Sequence, residues 1–239
     1  MPIITFDHIL FSYDQIPILQ DVTFSIKAGE YIGIIGPNGG GKTTALKLLM
    51  GFLKPQKGEV NLFNAPPEKN RTKIGYVPQI NAYDKQFPIS VLEVVLGGAL
   101  SKLSFWGTLP SKEKMRARHL LKEVGLEGME ERVFGSLSGG QAQKALIARA
   151  LMCDPEVLLL DEPTANIDPQ SESAIFSYLN TFKGKKTILI VMHNFDAIVK
   201  NVERILCFQQ EVSSMKPGEV CEHFSLGMYH PVTGDDHHE

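Results

Sequence analysis

The stretch Gly36-Pro37-Asn38-Gly39-Gly40-Gly41-Lys42-Thr43 indicates the fold class of this 239-residue chain. It matches the pattern G-x-x-x-x-G-K-[S/T], follows a short apolar run at residues 31–35 and precedes a helical pattern over residues 42–50. Glycines lack a Cβ, so backbone N–H groups can close around phosphate oxygens, and a helix N-terminus favours a bound anion. The order strand, glycine loop, helix therefore predicts a loop that holds a triphosphate. A chance glycine-rich turn is the alternative, and the flanking patterns argue against it.

The residues of this loop are expected to bind Mg-ATP. Lys42 is expected to bridge the β- and γ-phosphates and Thr43 to ligate Mg²⁺. The residues expected to contact the nucleotide here are Gly36, Pro37, Asn38, Gly39, Gly40, Gly41, Lys42, Thr43 and Thr44.

The rest of the chain reads as an α/β fold. Strand-like runs at residues 3–11 and 18–26 predict an antiparallel β subdomain at the N-terminus, and further runs alternate with helical stretches, as in a mostly parallel sheet flanked by helices. Those further runs lie at residues 31–35, 59–63, 73–77, 157–160, 187–192 and 204–208. Residues 79–154 show no strand pattern but three helical ones, at 91–100, 112–124 and 141–152, which predict an inserted helical subdomain.

Two adjacent carboxylates end one buried-looking strand. The apolar run of residues 157–160 leads into Asp161 and Glu162, which would emerge at the carboxyl edge of the sheet beside the phosphate loop. Asp161 would hold Mg²⁺ through its water shell, and Glu162, pointing the opposite way, could orient and deprotonate the attacking water. An acidic pair at a strand end is otherwise a turn or a helix cap.

The pentapeptide Leu137-Ser138-Gly139-Gly140-Gln141 precedes an Ala/Leu-rich helix. Ser138 and Gln141 fit a capping box, so a plain helix start is one interpretation. Two glycines just inside a helix are costly, which suggests instead that the backbone approaches something closely, as an anion-binding helix terminus does.

The order of these motifs resembles that of the nucleotide-binding subunits of ATP-binding cassette (ABC) transporters. The phosphate loop, Gln79 after a strand, residues 137–141, the run 158–163 and His193 after another strand occur in the family's order and cover nearly the whole chain. The resemblance implies two ATP molecules held head to tail between two copies of the chain.

The resemblance also implies roles for single residues. Tyr13 would stack on adenine, Gln79 would contact Mg²⁺ and sense a membrane partner, and His193 would contact the γ-phosphate. Asp168 would communicate across the dimer. Ser138, Gly139, Gly140 and Gln141 would bind the nucleotide of the second copy. The residues expected to act in catalysis are therefore Lys42, Gln79, Glu162 and His193, and those expected at Mg²⁺ are Thr43, Gln79 and Asp161.

Structural alternatives exist for four of these residues. Tyr13 is also a plain strand aromatic, Gln79 a loop polar residue, Asp168 an N-cap ahead of a proline, and His193 a strand-end histidine. Their order around the phosphate loop favours the functional interpretation.

The chain departs from the family pattern at several positions. Gly40 replaces a small Ala, Ser or Cys, Lys144 stands where Arg is common, Asn194 stands where Asp is usual, and residues 165–168 differ from the common Ser-Ala-Leu-Asp. These changes concern rate and dimer contacts and remove no expected ligand.

Composition limits the partners. The net charge of −3, from 24 Lys and Arg against 27 Asp and Glu, argues against nucleic-acid binding. No apolar run reaches bilayer length, so any membrane role must be peripheral, and the N-terminus lacks a secretory signal, so the cytoplasm is expected. The resemblance to ABC transporter subunits implies a place at the cytoplasmic face of the inner membrane, through permease subunits. Cys153, Cys207 and Cys221 are widely spaced, which fits reduced thiols better than a disulfide framework or a zinc site.

The cargo is suggested only by resemblance. Residues 87–97, Phe105, Trp106 and residues 110–112 resemble the helical subdomain of importer ATPases for zinc, manganese and iron. This implies polytopic permease subunits and, indirectly, a metal-binding solute-binding protein. A soluble ABC ATPase of an iron–sulfur assembly complex is the alternative.

The predicted organisation is a single ABC ATPase domain over residues 1–239. Its nucleotide-binding core comprises residues 1–84 and 154–225, its helical subdomain residues 85–153, and its C-terminal tail residues 226–239. In that tail Asp235, Asp236, His237 and His238 read as a solvated segment, with weak metal binding as the alternative.

Overall fold

A computed structural model describes residues 1–79, 84, 86–104, 107–192 and 194–219. Expectations for His193, Phe105, Trp106, Cys221 and the tail at 226–239 lie outside these residues. The nine strands of the described chain are β1 Pro2–Tyr13, β2 Ile16–Lys27, β3 Tyr31–Ile35, β4 Lys57–Leu62, β5 Ile74–Val77, β6 Val157–Asp161, β7 Thr187–Val191, β8 Arg204–Gln209 and β9 Glu211–Met215.

The strands form two sheets. β2, β1 and β4 make an antiparallel sheet, and the second sheet has the order β5-β6-β7-β3-β8-β9. Its first five strands are parallel, whereas β9 runs antiparallel to β8. The predicted α/β fold with an antiparallel N-terminal part is thus confirmed, but the run at 59–63, predicted for the mostly parallel sheet, is β4 of the antiparallel sheet, because it pairs with β1.

Strand β9 is absent from the sequence prediction. Its sequence Glu-Val-Ser-Ser-Met has no apolar run, because it is an edge strand that buries little. A turn at Gln210, with a φ of 66°, returns the chain directly from β8 to β9.

Six α-helices lie in the described chain: α1 Lys42–Leu49, α2 Val91–Leu96, α3 Ser111–Glu123, α4 Gly139–Leu151, α5 Pro169–Asn180 and α6 Phe195–Asn201. Short 3-10 turns add Pro67–Lys69, Arg71–Lys73, Gly97–Lys102, Phe134–Ser136 and Pro217–Glu219. The helix predicted over 91–100 ends at Leu96 and continues as a 3-10 turn with a kink at Ala99, whose φ of −107° and ψ of 15° are not helical.

The parallel sheet is buried on both faces, as β3, β6 and β7 show over all five residues of each. Alternate residues of β6 divide between two cores. Leu158 and Leu160 pack with α2–α6, whereas Val157 and Leu159 pack with α1 and the antiparallel sheet. Because β3, β5, β6 and β7 run parallel, their carboxyl ends lie at one edge of the sheet, where the phosphate loop begins.

No helix of the described residues is long and apolar enough to span a membrane.

Candidate nucleotide site

The phosphate loop joins β3 to α1 and is closely framed by two other strands. Gly36 has a φ of 145°, and a Cβ there would lie 2.1 Å from the carbonyl oxygen of Phe208 in β8. Gly41 has a φ of 98°, and its Cβ would lie 2.4 Å from a methyl group of Leu19 in β2. Only glycine fits both the left-handed backbone and the space at these positions.

Gly40 is glycine for a local reason. A Cβ at Gly40 would lie 2.7 Å from the same Phe208 oxygen. The close approach of β8 in this chain therefore explains why residue 40 is glycine and lacks the small side chain usual in the family.

Lys42 is held inside its own loop. Its side chain is buried, and Nζ donates to the carbonyl oxygens of Gly36 at 2.8 Å and Pro37 at 2.9 Å. Burial lowers the pKa of Lys42, and the carboxylates of Glu162 and Asp161 act in the opposite direction. The ammonium group thus lies at the loop with acidic partners nearby, where an incoming phosphate would replace carbonyl contacts.

Asp161 and Thr43 are in contact. Asp161 ends β6 and is 4% exposed, and Thr43 Oγ1 donates to its Oδ2 at 3.3 Å. Burial raises the pKa of Asp161, while hydrogen bonds from Thr43 and Tyr76 oppose that rise. A hydroxyl and a carboxylate oxygen side by side are ligands that Mg²⁺ prefers.

Glu162 and Gln79 form the second contact of the site. Gln79 follows β5 and Glu162 follows β6, its neighbour, and Gln79 Nε2 donates to Glu162 Oε2. Glu162 has a φ of 49°, and its backbone N–H donates to Val191 in β7 at 3.0 Å. This left-handed backbone turns Glu162 away from the direction of Asp161, so adjacent acids have different neighbours.

Residues 138–141 form the predicted capping box. Ser138 Oγ accepts from the Gln141 N–H at 3.3 Å, and Gln141 Oε1 accepts from the Ser138 N–H at 3.0 Å. These bonds stay within the pentapeptide, and the described residues show none from it to Lys42.

The two glycines of this pentapeptide differ. A Cβ at Gly140 would lie 2.4 Å from Oγ of Ser171 in α5, whereas a Cβ at Gly139 would meet Ile167 at an ordinary 3.5 Å. The close approach at Gly140 is thus to a helix of the same chain. Gly139 and Ser138 are exposed and free of that constraint.

Asp168 is an N-cap and Tyr13 is a strand aromatic, as the structural alternatives for these two residues predicted. Asp168 caps α5, its Oδ1 accepting from the Ser171 N–H at 2.8 Å, and hydrogen bonds from Ser171 lower its pKa. Tyr13 ends β1 with 41% of its surface exposed and packs edge-on against Phe11. Neither arrangement conflicts with a role in binding.

Sequence reasoning missed four polar residues at this edge of the sheet. Tyr76 lies near Asp161, and burial raises the pKa of Tyr76 to about 12. Thr164, Glu172 and Asn194 share with Glu162 a cavity of about 280 Å³. Only Asn194 carried a signal, as a departure from the family pattern, because contacts between separate loops leave no spacing in the sequence.

Comparisons with known proteins agree with this geometry. Residues 19–165 match the family model described as ABC transporter. The zinc transport system ATP-binding protein TroB of Treponema pallidum is 41% identical over 208 residues, covering 86% of this chain and 78% of that protein. The high-affinity zinc uptake system ATP-binding protein ZnuC of Bacillus subtilis is 34% identical over 209 residues, covering 86% and 90%.

Among solved structures, a dimeric ATP-binding cassette in a post-hydrolysis state with ADP and Pi superposes with a TM-score of 0.76. It is 29% identical, and the match covers 90% of this chain and 98% of that one. The motif order, the sheet topology and these likenesses agree: this chain belongs to the ABC transporter family, as one of its nucleotide-binding, ATP-hydrolysing subunits.

Proposed function

We propose that this chain energises an importer for a divalent metal ion such as zinc, manganese or iron. Two copies would close on ATP, reorient two membrane subunits and reopen after hydrolysis. The observation that carries the hydrolytic part is the pair of contacts Thr43–Asp161 and Gln79–Glu162 beside the phosphate loop. The relatives named for zinc transport and zinc uptake support the cargo class and do not favour iron–sulfur assembly.

Mg²⁺ fits the oxygen donors present. Thr43 and Asp161 would hold it, with Gln79 contributing its amide oxygen, and Mg²⁺ when bound supplies charge neutralisation of the phosphates. Because Asp161 is buried and backed by Tyr76, its carboxylate is oriented before any ligand arrives.

Glu162 would act as the base that orients and deprotonates water. Gln79 would release its present bond to Glu162 Oε2 when it turns to the nucleotide, so that this oxygen could accept a hydrogen bond from water. Lys42 would exchange the Gly36 and Pro37 carbonyls for phosphate oxygens, together with the backbone of residues 36–44. His193 would contact the γ-phosphate.

The second copy would complete each site. Ser138, Gly139, Gly140 and Gln141 would face the γ-phosphate bound by the partner copy, and Ser138 and Gly139 are exposed as this requires. Asp168 would lie at the contact between copies, and Tyr13 would stack on adenine from the end of β1. The dimeric cassette with ADP and Pi supports this arrangement by likeness.

A permease would dock on the helical part of the chain. Phe87, Leu100, Leu103 and Met115 lie in this part and are exposed by 42–66%. Docking there would place the chain at the cytoplasmic face of the cell membrane, with a solute-binding protein delivering metal on the other side. We propose residues 85–153 as the helical subdomain, 1–84 and 154–225 as the core and 226–239 as the tail.

Glu162→Gln tests the hydrolytic assignment. The variant keeps the size and the Gln79 contact but loses the base, so kcat should fall by roughly a hundredfold or more while ATP binding persists. Glu59→Gln is the matched control, because Glu59 is an exposed residue of β4, and this variant should hydrolyse ATP normally. Wild-type turnover in Glu162→Gln would remove Glu162 from this role.

Capture of the chain from detergent extracts tests its partner. A polytopic membrane subunit should co-purify, and cells lacking the chain should accumulate less zinc, manganese or iron. Only soluble partners, with metal uptake unchanged, would contradict the importer and favour the iron–sulfur alternative.

A further inference from the structure

Glu172 joins three segments around the cavity beside Glu162. It lies in the first turn of α5, and its Oε1 accepts from Thr164 Oγ1 at 3.1 Å and from Asn194 Nδ2 at 3.5 Å. Thr164 belongs to the turn after β6 that carries Glu162. Asn194 begins α6, so one carboxylate oxygen connects that turn, α5 and α6.

The cavity that these residues enclose adjoins the proposed base. Glu162, Thr164, Glu172 and Asn194 provide its polar walls, and its volume of about 280 Å³ has room for several water molecules. The position of its walls depends on how the loops after β6 and β7 are held relative to each other. The side chain of Glu172 bonds to both loops, at Thr164 and at Asn194.

We propose that Glu172 is a positioning residue for ATP hydrolysis. By accepting from Thr164 and Asn194 it fixes the turn that carries Glu162 against the start of α6, and so holds the cavity beside Glu162 in its working shape. This inference rests on the role of Glu162 proposed above.

Asn194 must be an amide for this arrangement. Its Oδ1 accepts from the Ala197 N–H at 3.3 Å and caps α6, while its Nδ2 donates to Glu172. An aspartate could still cap α6, but it has no donor for Glu172 and would place a second negative charge against it. The amide of Asn194 is thus the donor that the carboxylate of Glu172 requires.

The test is a double-variant cycle. Asn194→Asp should lower kcat by about tenfold, with the ATP dissociation constant and the thermal midpoint near those of the wild type. Glu172→Gln alone should be close to wild type, because its amide oxygen can still accept from Thr164 and Asn194. Combined with Asn194→Asp it should restore kcat, because the Gln amide can donate to the new carboxylate.

The matched control is Asn180→Asp. Asn180 lies at the far end of α5 and bonds to Asn201 of α6, so this change adds the same charge to the same helix pair away from the cavity. Its kcat should be that of the wild type.

Two results would overturn the proposal: unchanged kcat in Asn194→Asp, or a loss that Glu172→Gln does not restore. Failure of the Glu162 assignment is distinguishable, because Glu162→Gln tests it without touching Glu172.

Discussion

Lys42 and Asp161 are ionisable residues whose surroundings disfavour the charged form of each. Burial lowers the pKa of Lys42 and raises the pKa of Asp161, because each charged form has lost part of its water shell. A phosphate group beside Lys42, or a cation beside Asp161, would supply the missing counter-charge. Both groups are therefore held in place at some cost in stability.

The Phe208 carbonyl oxygen explains two glycines at once. Cβ atoms at Gly36 and Gly40 would lie 2.1 Å and 2.7 Å from it. The path of β8 thus sets the residue type at two loop positions, one of which the family pattern does not assign to glycine. The sequence pattern shows where glycine occurs, but the neighbour that demands it lies about 170 residues away in the chain.

At the scale of elements, the starts of α4 and α5 pack directly on each other through Gly140 and Ser171. Gly140→Ala should destabilise the chain by about 1–3 kcal/mol, because the added methyl overlaps Ser171 and the helices must separate. Chemical denaturation of the purified chain measures this without reference to nucleotide.

Gly139→Ala is the control, since its methyl meets only an ordinary contact at Ile167 and should leave stability nearly unchanged. Ser171→Gly added to Gly140→Ala should recover most of the loss. A destabilisation of equal size in Gly139→Ala, or no recovery in the double variant, would show that this contact is not the reason for glycine at 140.

Elements with strong periodic patterns were predicted well. The buried strands β3, β6 and β7 and the helices α1, α3 and α4 lie within one or two residues of their predicted positions, because burial imposes the apolar repeat that prediction reads. β9 was missed because an edge strand needs no such repeat. The kink at Ala99 was missed because residues 91–100 read as one helical pattern.

The residues of the site also divide into those predicted from the sequence and those that were missed. The phosphate loop, Asp161, Glu162 and Gln79 were predicted from motifs, and the structure joins them as two contacting pairs, Thr43 with Asp161 and Gln79 with Glu162. Tyr76 and Glu172 were not, because their roles come from neighbours in space.

At the scale of the whole molecule, α4 connects the two parts of the chain. It packs on α2 and α3 of the helical part and on β5 and α5 of the core. Its C-terminal carbonyls are capped from the helical part, where Arg116 donates to Leu151 at 3.1 Å and Lys102 to Met152 at 3.5 Å. The residues that follow α4 lead the chain from the helical part back to β6 of the core.

Asp154 lies at that junction in a left-handed conformation with a φ of 51°. Its carboxylate accepts from Lys186 of the core at 2.9 Å and lies 3.7 Å from Arg116 of α3. The hydrogen bond from Lys186 lowers the pKa of Asp154, so the pair contributes stability above the unfolded-state pKa, near 4, and loses it as pH falls through the folded-state pKa.

Asp154→Asn should therefore reduce stability by at most about 1 kcal/mol at pH 7, because the pair is exposed and screened, and by progressively less as pH falls below about 4. Asparagine tolerates the left-handed backbone, so the charge is the main change. Asp14→Asn, in the left-handed turn between β1 and β2, is the control for the same change of side chain on a left-handed backbone. Urea unfolding of the three proteins across pH measures the difference. A loss in Asp154→Asn that stays constant with pH would mean that backbone conformation, and not the ion pair, makes the junction sensitive to this residue.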